Sequence, residues 1–161
     1  MRLVPLSFEL LISVVLNRNH MNDTDCLFCK MVDGEIPASI VYEDNICMAF
    51  MDIYPVAEGH CLLIPKKHFE NTLDADPMVM SYLSEKLIAL NQKVNRVIEP
   101  AGILNVIANG RGAGQEIPHL HIHIIPRRHG DEFGFRYPEG YRDEPTPRDQ
   151  LNELAEQIGN A

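Results

Sequence analysis

The chain is poor in what would bind it to a polyanion, a bilayer or an oxidising compartment. Lys and Arg number 14 against 23 Asp and Glu, for a formal net charge of -9 at pH 7. That balance argues against broad nucleic-acid or anionic-membrane binding, so any phosphate ligand would have to be met by local devices. Cysteine is sparse: two of the four lie in Cys26-x-x-Cys29, and Cys47 and Cys61 stand alone. This is no disulfide framework, and it fits a reducing cytoplasm. Long apolar runs are missing too. Leu10 to Leu16 is too short to span a bilayer. Arg2 precedes it as in a signal peptide, yet Pro5 and Glu9 interrupt the lead-in, and Asn17-Arg18-Asn19-His20 offers no small-residue cleavage site. No internal repeat is visible, and 161 residues suit one domain with a real core.

What is present centres on Pro118 to Arg128, where histidine and aliphatic residues alternate. A period of two predicts a strand with His119, His121 and His123 on one face and Leu120, Ile122 and Ile124 turned to a core. Pro118 and Pro126 are expected to bound it. Same-face neighbours are about 6.6 Å apart, so His119 and His123 are separated by roughly 13 Å. Two neighbours could share a metal ion but hardly three. A row of imidazoles, titrating near neutrality, points to a nucleophile, a proton carrier or a ligand.

Elsewhere the patterns are ordinary. Cys26 to Val32 reads as a short helical turn closed by Asp33-Gly34. Ser39 to Tyr42 and Ile46 to Phe50 flank a turn cluster and predict a hairpin. His60 to Ile64 reads as a third strand stopped by Pro65. Asp76-Pro77 supplies an N-cap and first-turn proline. Val79, Leu83, Leu87, Leu90, Val94 and Val97 then keep helical spacing. Ile103 to Ile107 is a fourth strand, and Asn109 to Gly114 a glycine-rich loop. From His129 to Pro145 periodicity is lost, and Thr146-Pro147-Arg148-Asp149 opens a short terminal helix by a capping-box pattern. The class is α+β, with a mainly antiparallel five-stranded sheet and one long helix.

Were such a histidine row to act at phosphorus, it would need a nucleophile, donors for the non-bridging oxygens and a group to protonate what leaves. The middle histidine, His121, is the natural nucleophile, with His123 placed to assist. Gly112-x-Gly114-Gln115 can bring bare N–H groups to a phosphate. The Cys26-x-x-Cys29 pair admits three readings, a redox pair, two buried thiols or half a zinc site, and spacing alone leaves them open.

The histidine alternation resembles the signature of the histidine-triad family of nucleotide hydrolases and transferases. Cys26 to Lys30, Gly34 to Ala38, Tyr42-Glu43-Asp44, Ala49 to Ile53, Gly59-His60, Ile64 to His68 and Gly112 to Gln115 follow in that family's order. The likeness spans about residues 26 to 130. It implies a histidine-triad domain over 22–130, a C-terminal tail with a short helix over 131–161, and an N-terminal extension over 1–21. Met21 is then read as the native start and the first twenty residues as upstream read-through, a short membrane-directing or partner-binding helix being the alternative.

The resemblance also implies roles. His121 would form a covalent nucleotidyl-histidine that water cleaves, with His123 at the leaving-group or phosphate oxygen. Asp52 would accept the ribose hydroxyls. Phe28, Met31, Ile36 and Ile53 would wall a purine pocket, and Gly114, Gln115 and Glu116 would lie along the α-phosphate. Members with the cysteine pair hold a structural zinc with the residues at His68 and His119, so the implied ligands are Cys26, Cys29, His68 and His119. A homodimer with continuous sheets is implied as well. Three departures concern the substrate: Ala108 where many members have Asn, Glu116 where a phosphoramidase branch has Ser, and Pro118, which removes a donor. The expected activity is a cytoplasmic hydrolase cleaving purine nucleoside 5′-phosphoramidates or related conjugates at the α-phosphorus. The alternatives are a diadenosine polyphosphate hydrolase, a non-catalytic nucleotide sensor and a zinc-handling protein.

Overall fold

The computed structural model describes residues 25–161. The expectation for residues 1–21 lies outside the described residues. The chain divides into two compact units between His129 and Gly130.

In the first unit, β1 (Ile40–Glu43), β2 (Cys47–Met51), β3 (Cys61–Pro65), β4 (Gly102–Val106) and β5 (Ile122–Arg127) form one sheet in the order β1-β2-β3-β5-β4. Every neighbouring pair is antiparallel, which is the α+β architecture expected. Helices α1 (Leu27–Val32) and α2 (Pro77–Ile98) complete the unit. The Asp76 carboxylate accepts the Met78 N–H at 2.8 Å at the start of α2, and Glu99 ends the helix in a left-handed conformation at φ 48°. Val79, Leu83, Leu90 and Val94 are buried as the spacing requires. Val97 is exposed at the last turn, where Ile98 packs against the core instead.

Both faces of β2 and β3 are covered, so these two read as unbroken apolar runs rather than alternating ones. Cys47, Ala49, Cys61, Leu63, Ile122 and Ile124 pack with the buried face of α2. Met48, Phe50, Leu62 and Ile64 pack on the opposite side with Cys26, Phe28 and Cys29 of the α1 region. Burying such side chains contributes about 1.5–3 kcal/mol each. The hairpin is tied to α2 by Asp44. Its Oδ1 accepts the Ile46 and Cys47 N–H groups, both at 2.8 Å. Its Oδ2 accepts the Tyr42 hydroxyl at 2.6 Å and the Tyr82 hydroxyl at 2.8 Å.

β1, β2 and β3 each run one residue later than expected, with Pro65 closing β3 from inside it, and further expectations need correction. β5 begins at Ile122, and Pro126 lies inside it opposite Ile103. Its missing N–H is tolerated because the ladder to β3 has already ended at the Cys61–Ile124 pair. β4 starts one residue earlier than expected, at Gly102. In the second unit, α3 (Arg148–Gly159) carries Pro147 at its cap with no side-chain hydrogen bond, so the Thr146 capping box does not form. No helix among the described residues is long and apolar enough to cross a membrane.

Candidate active site and metal centre

The three histidines face the α1 side of the sheet, as alternation predicted, but that face is not open. His119 has 0% and His121 6% of its surface exposed, while His123 is half-buried. Each ring is held differently. His121 Nδ1–H donates to the His119 carbonyl at 2.6 Å. In the neutral ring that leaves Nε2 bare, the form that can attack phosphorus. The His123 ring centroid lies 4.9 Å away at 72°. Phe28 stands edge-on to His119 and His121, at 5.7 and 5.5 Å, and locks both rings.

His119 Nε2–H donates to the Pro65 carbonyl at 2.9 Å, which leaves Nδ1 unprotonated. That nitrogen lies 3.3 Å from Cys26 Sγ and 3.6 Å from Cys29 Sγ, and His68 Nδ1 lies 3.4 Å from Cys29 Sγ. The donor atoms of Cys26, Cys29, His68 and His119 all fall within 4.8 Å of one another. A tetrahedral zinc with S and N ligands spaces neighbouring S and N atoms about 3.5 Å apart, so this set fits one ion. The carbonyl bond to His119 is the outer support such a ligand needs. Cys26 also caps α1, accepting the Cys29 N–H at 3.4 Å. Burial pulls the His119 pKa down to about 4, which keeps its donor nitrogen free.

His60, which had no role assigned from sequence, joins Asp52 and His123 in a second cluster. His60 Nε2 and His123 Nδ1 are 2.9 Å apart, and His60 Nδ1 lies 3.4 Å from Asp52 Oδ2. The signal was available in the pairing: His123 faces Leu62 across the β3–β5 ladder. His60, two residues before Leu62, is therefore its diagonal neighbour on one face. Burial lowers the His60 pKa against the pull of Asp52. It brings His123 down to about 4, with His121 and His60 adding to the fall and Asp52 opposing it.

The remaining expected residues are scattered. Asp52 is half-buried, and its Oδ1 accepts the Tyr54 N–H at 2.8 Å in the turn after β2. Ile53 beside it is 79% exposed, Met31 and Ile36 are half-buried, and Phe28 belongs to the core. Gly114 and Glu116 are exposed, Gly114 with φ +90°. Gln115 is buried instead. Its Oε1 accepts the Gly110 N–H at 2.7 Å, and its Nε2 donates to the Glu70 and Ile117 carbonyls at 2.6 and 3.1 Å. A hollow of about 390 Å³ beside this clasp is lined by His68, Glu70, Arg111 and Glu116 among others, and excludes His121 and His123.

The model of the HIT domain matches residues 33–130. The chain belongs to the HIT domain family. Among relatives of this HIT protein is the adenylylsulfatase HINT3 of Arabidopsis thaliana. It is 36% identical over 107 residues, covering 66% of this chain and 54% of that longer protein. The crystal structure of SMU.412c from Streptococcus mutans is similar, with a TM-score of 0.79 and 35% identity, covering 86% of each chain. A histidine triad nucleotide-binding protein from Candida albicans has a TM-score of 0.73 and 32% identity, over 84% of this HIT chain and 95% of its own.

Proposed function

We propose that this HIT protein is a nucleotide hydrolase that cleaves at the α-phosphorus of purine nucleoside 5′-phosphoramidates or related conjugates. The observation that carries the reading is the His121 ring, whose Nδ1–H is committed to the His119 carbonyl at 2.6 Å. Its Nε2 is left as the nucleophile, and a nucleotidyl-His121 intermediate follows. His123 protonates the leaving group and then accepts a proton from the attacking water. Asp52 accepts the ribose hydroxyls. Phe28, Met31, Ile36 and Ile53 border the base, and Gly114, Gln115 and Glu116 border the phosphate. The names of the Arabidopsis and Candida relatives support a nucleotide ligand.

Cys26, Cys29, His68 and His119 would hold a structural zinc, which would brace the segment leading into β5 and do no chemistry on substrate. The domain spans 22–130 with a tail over 131–161, and works as a homodimer in the cytoplasm. Glu116 beside the proposed phosphate site disfavours an acidic leaving group, which places phosphoramidates before diadenosine polyphosphates.

The test is rapid acid quench with a radiolabelled adenosine phosphoramidate. Wild type should yield a nucleotidyl-protein adduct, and His121→Ala should yield neither adduct nor turnover. An adduct on the His121→Ala protein would move the nucleophile elsewhere.

A further inference from the structure

We propose that Asp52 couples sugar recognition to proton delivery, acting on His123 through His60, so that a ribose hydroxyl is read in the rate of bond cleavage as well as in binding. The inference rests on the nucleotidyl-transfer reading above and adds a positioning role for His60 and a specificity role for Asp52.

The geometry is a continuous chain. Asp52 Oδ2 lies 3.4 Å from His60 Nδ1, and His60 Nε2 lies 2.9 Å from His123 Nδ1, with the two ring planes 30° apart. The Val56 N–H also points at His60 Nδ1, from 3.4 Å, so a proton there is opposed by a donor and held by Asp52. His60 is buried, and Asp52 is half-buried with its other oxygen engaged by the Tyr54 N–H. One carboxylate oxygen is thus shared between the histidine pair and whatever reaches the site from outside.

The proton flow balances without any other reactant. When substrate binds, the phosphate's negative charge and Asp52 draw one extra proton onto the pair, where His60 carries it as imidazolium. His123 then presents Nε2–H to the site. His121 Nε2 attacks phosphorus, and the bond to the leaving atom breaks with its electron pair going to that atom. The leaving atom takes the Nε2 proton of His123, and the His60 Nε2 proton shifts to His123 Nδ1. Both rings are now neutral and His123 Nε2 is bare. It takes a proton from water as the water oxygen attacks phosphorus and the P–N bond electrons return to His121. The Nδ1 proton moves back to His60.

Asp52 sets how tightly the chain keeps its proton. Ribose hydroxyls donating to the carboxylate weaken its hold on His60, so His123 gives its proton more readily. A sugar lacking a hydroxyl leaves Asp52 wholly to His60, and His123 becomes a weaker acid. The loss should appear in kcat, and only where the leaving group needs a proton.

The experiment compares adenosine with its 2′-deoxy and 3′-deoxy counterparts. Each is presented as an alkylamine phosphoramidate and as a 4-nitrophenyl ester, whose phenolate leaves unaided. In wild type, deleting the engaged hydroxyl should lower kcat roughly tenfold for the alkylamine and little for the ester, a fraction of what general acid catalysis supplies. KM should rise for both. His60→Gln should abolish the sugar effect on kcat while keeping it on KM, because Asp52 still meets the sugar. Asp52→Asn should abolish both effects. The proposal is overturned if the wild-type sugar effect lies wholly in KM, or if either variant keeps the wild-type effect on kcat. If His60→Gln does not fold, Asp52→Asn alone decides. Absence of turnover of every ester and amidate by wild type would instead overturn the nucleotidyl-transfer reading, and this coupling with it.

Discussion

Replacing Gln115 with Met keeps the length of the side chain and deletes its three hydrogen bonds. The amide holds Gly110 N–H, Glu70 C=O and Ile117 C=O at 2.7, 2.6 and 3.1 Å. Glu70 is exposed, so its carbonyl can turn to water, whereas Gly110 and Ile117 are half-buried. Leaving a buried partner unmet costs about 1–3 kcal/mol. Two partly buried partners in the lower half of that range give about 2–4 kcal/mol. In a unit of this size each kcal/mol moves Tm by roughly 4 °C, so the midpoint should fall by about 8–16 °C. Thermal unfolding followed by circular dichroism reads this directly, with zinc content measured alongside. Gln115→Glu is the companion: it keeps an acceptor for Gly110 but sets a carboxylate oxygen against two carbonyls, and should destabilise at least as much at neutral pH. A Tm change below about 2 °C for both, with nucleotide affinity lost, would refute the clasp and leave Gln115 with substrate contact alone.

The other expectations are quicker to state. Purified protein should contain about one zinc per chain, and Cys26→Ser or His119→Ala should abolish the metal and lower stability, by elemental analysis and thermal melts. Asp44 is pushed up by burial but pulled further down by the Tyr42, Cys47, Ile46 and Tyr82 donors, so its pKa lies below the ordinary carboxylate value. A depressed folded pKa means its contribution is complete above the unfolded pKa and vanishes as pH falls through the folded one. Asp44→Asn should therefore be destabilised at neutral pH, and its deficit should shrink only below about pH 4. A Cβ at Gly59 would meet Ile98 Cγ1 at 2.7 Å on a backbone with φ +83°. Gly59→Ala should cost more than 1 kcal/mol in a denaturant melt. An unchanged midpoint would show that Ile98 moves aside freely.

Much of the fold could be read because its signals are local. Asp76 and Pro77 announce the start of α2, the Glu43-Asp44-Asn45 cluster marks the hairpin, and the alternation from His119 assigns faces correctly. What could not be read depends on tertiary pairing. The alternation says that the histidines share a face, not that Phe28 covers it. Pro126 looked like a strand end because the sequence does not show where the β3 ladder stops. The resemblance set Gln115 along a phosphate, but nothing in the glycines before it announces that its amide also clasps Gly110, Glu70 and Ile117. Cys26 and Cys29 carried no hint of His68 and His119 in their spacing. His60 was in view but mute until the β3–β5 register placed it against His123.

Position 119 serves two neighbours with different atoms: its imidazole faces the Cys26 and Cys29 thiols, and its carbonyl orients the His121 ring. Only the imidazole depends on residue type. Descendants of such a chain could therefore dispense with any metal held there, exchanging side chains at 26, 29, 68 and 119 for well-packed ones, provided the chain holds its path. Any residue at 119 still offers a carbonyl to His121. An ion held there would be dispensable in ancestry in a way the orientation of the His121 ring is not, and metal content should vary among descendants more freely than the His121 contact to that carbonyl.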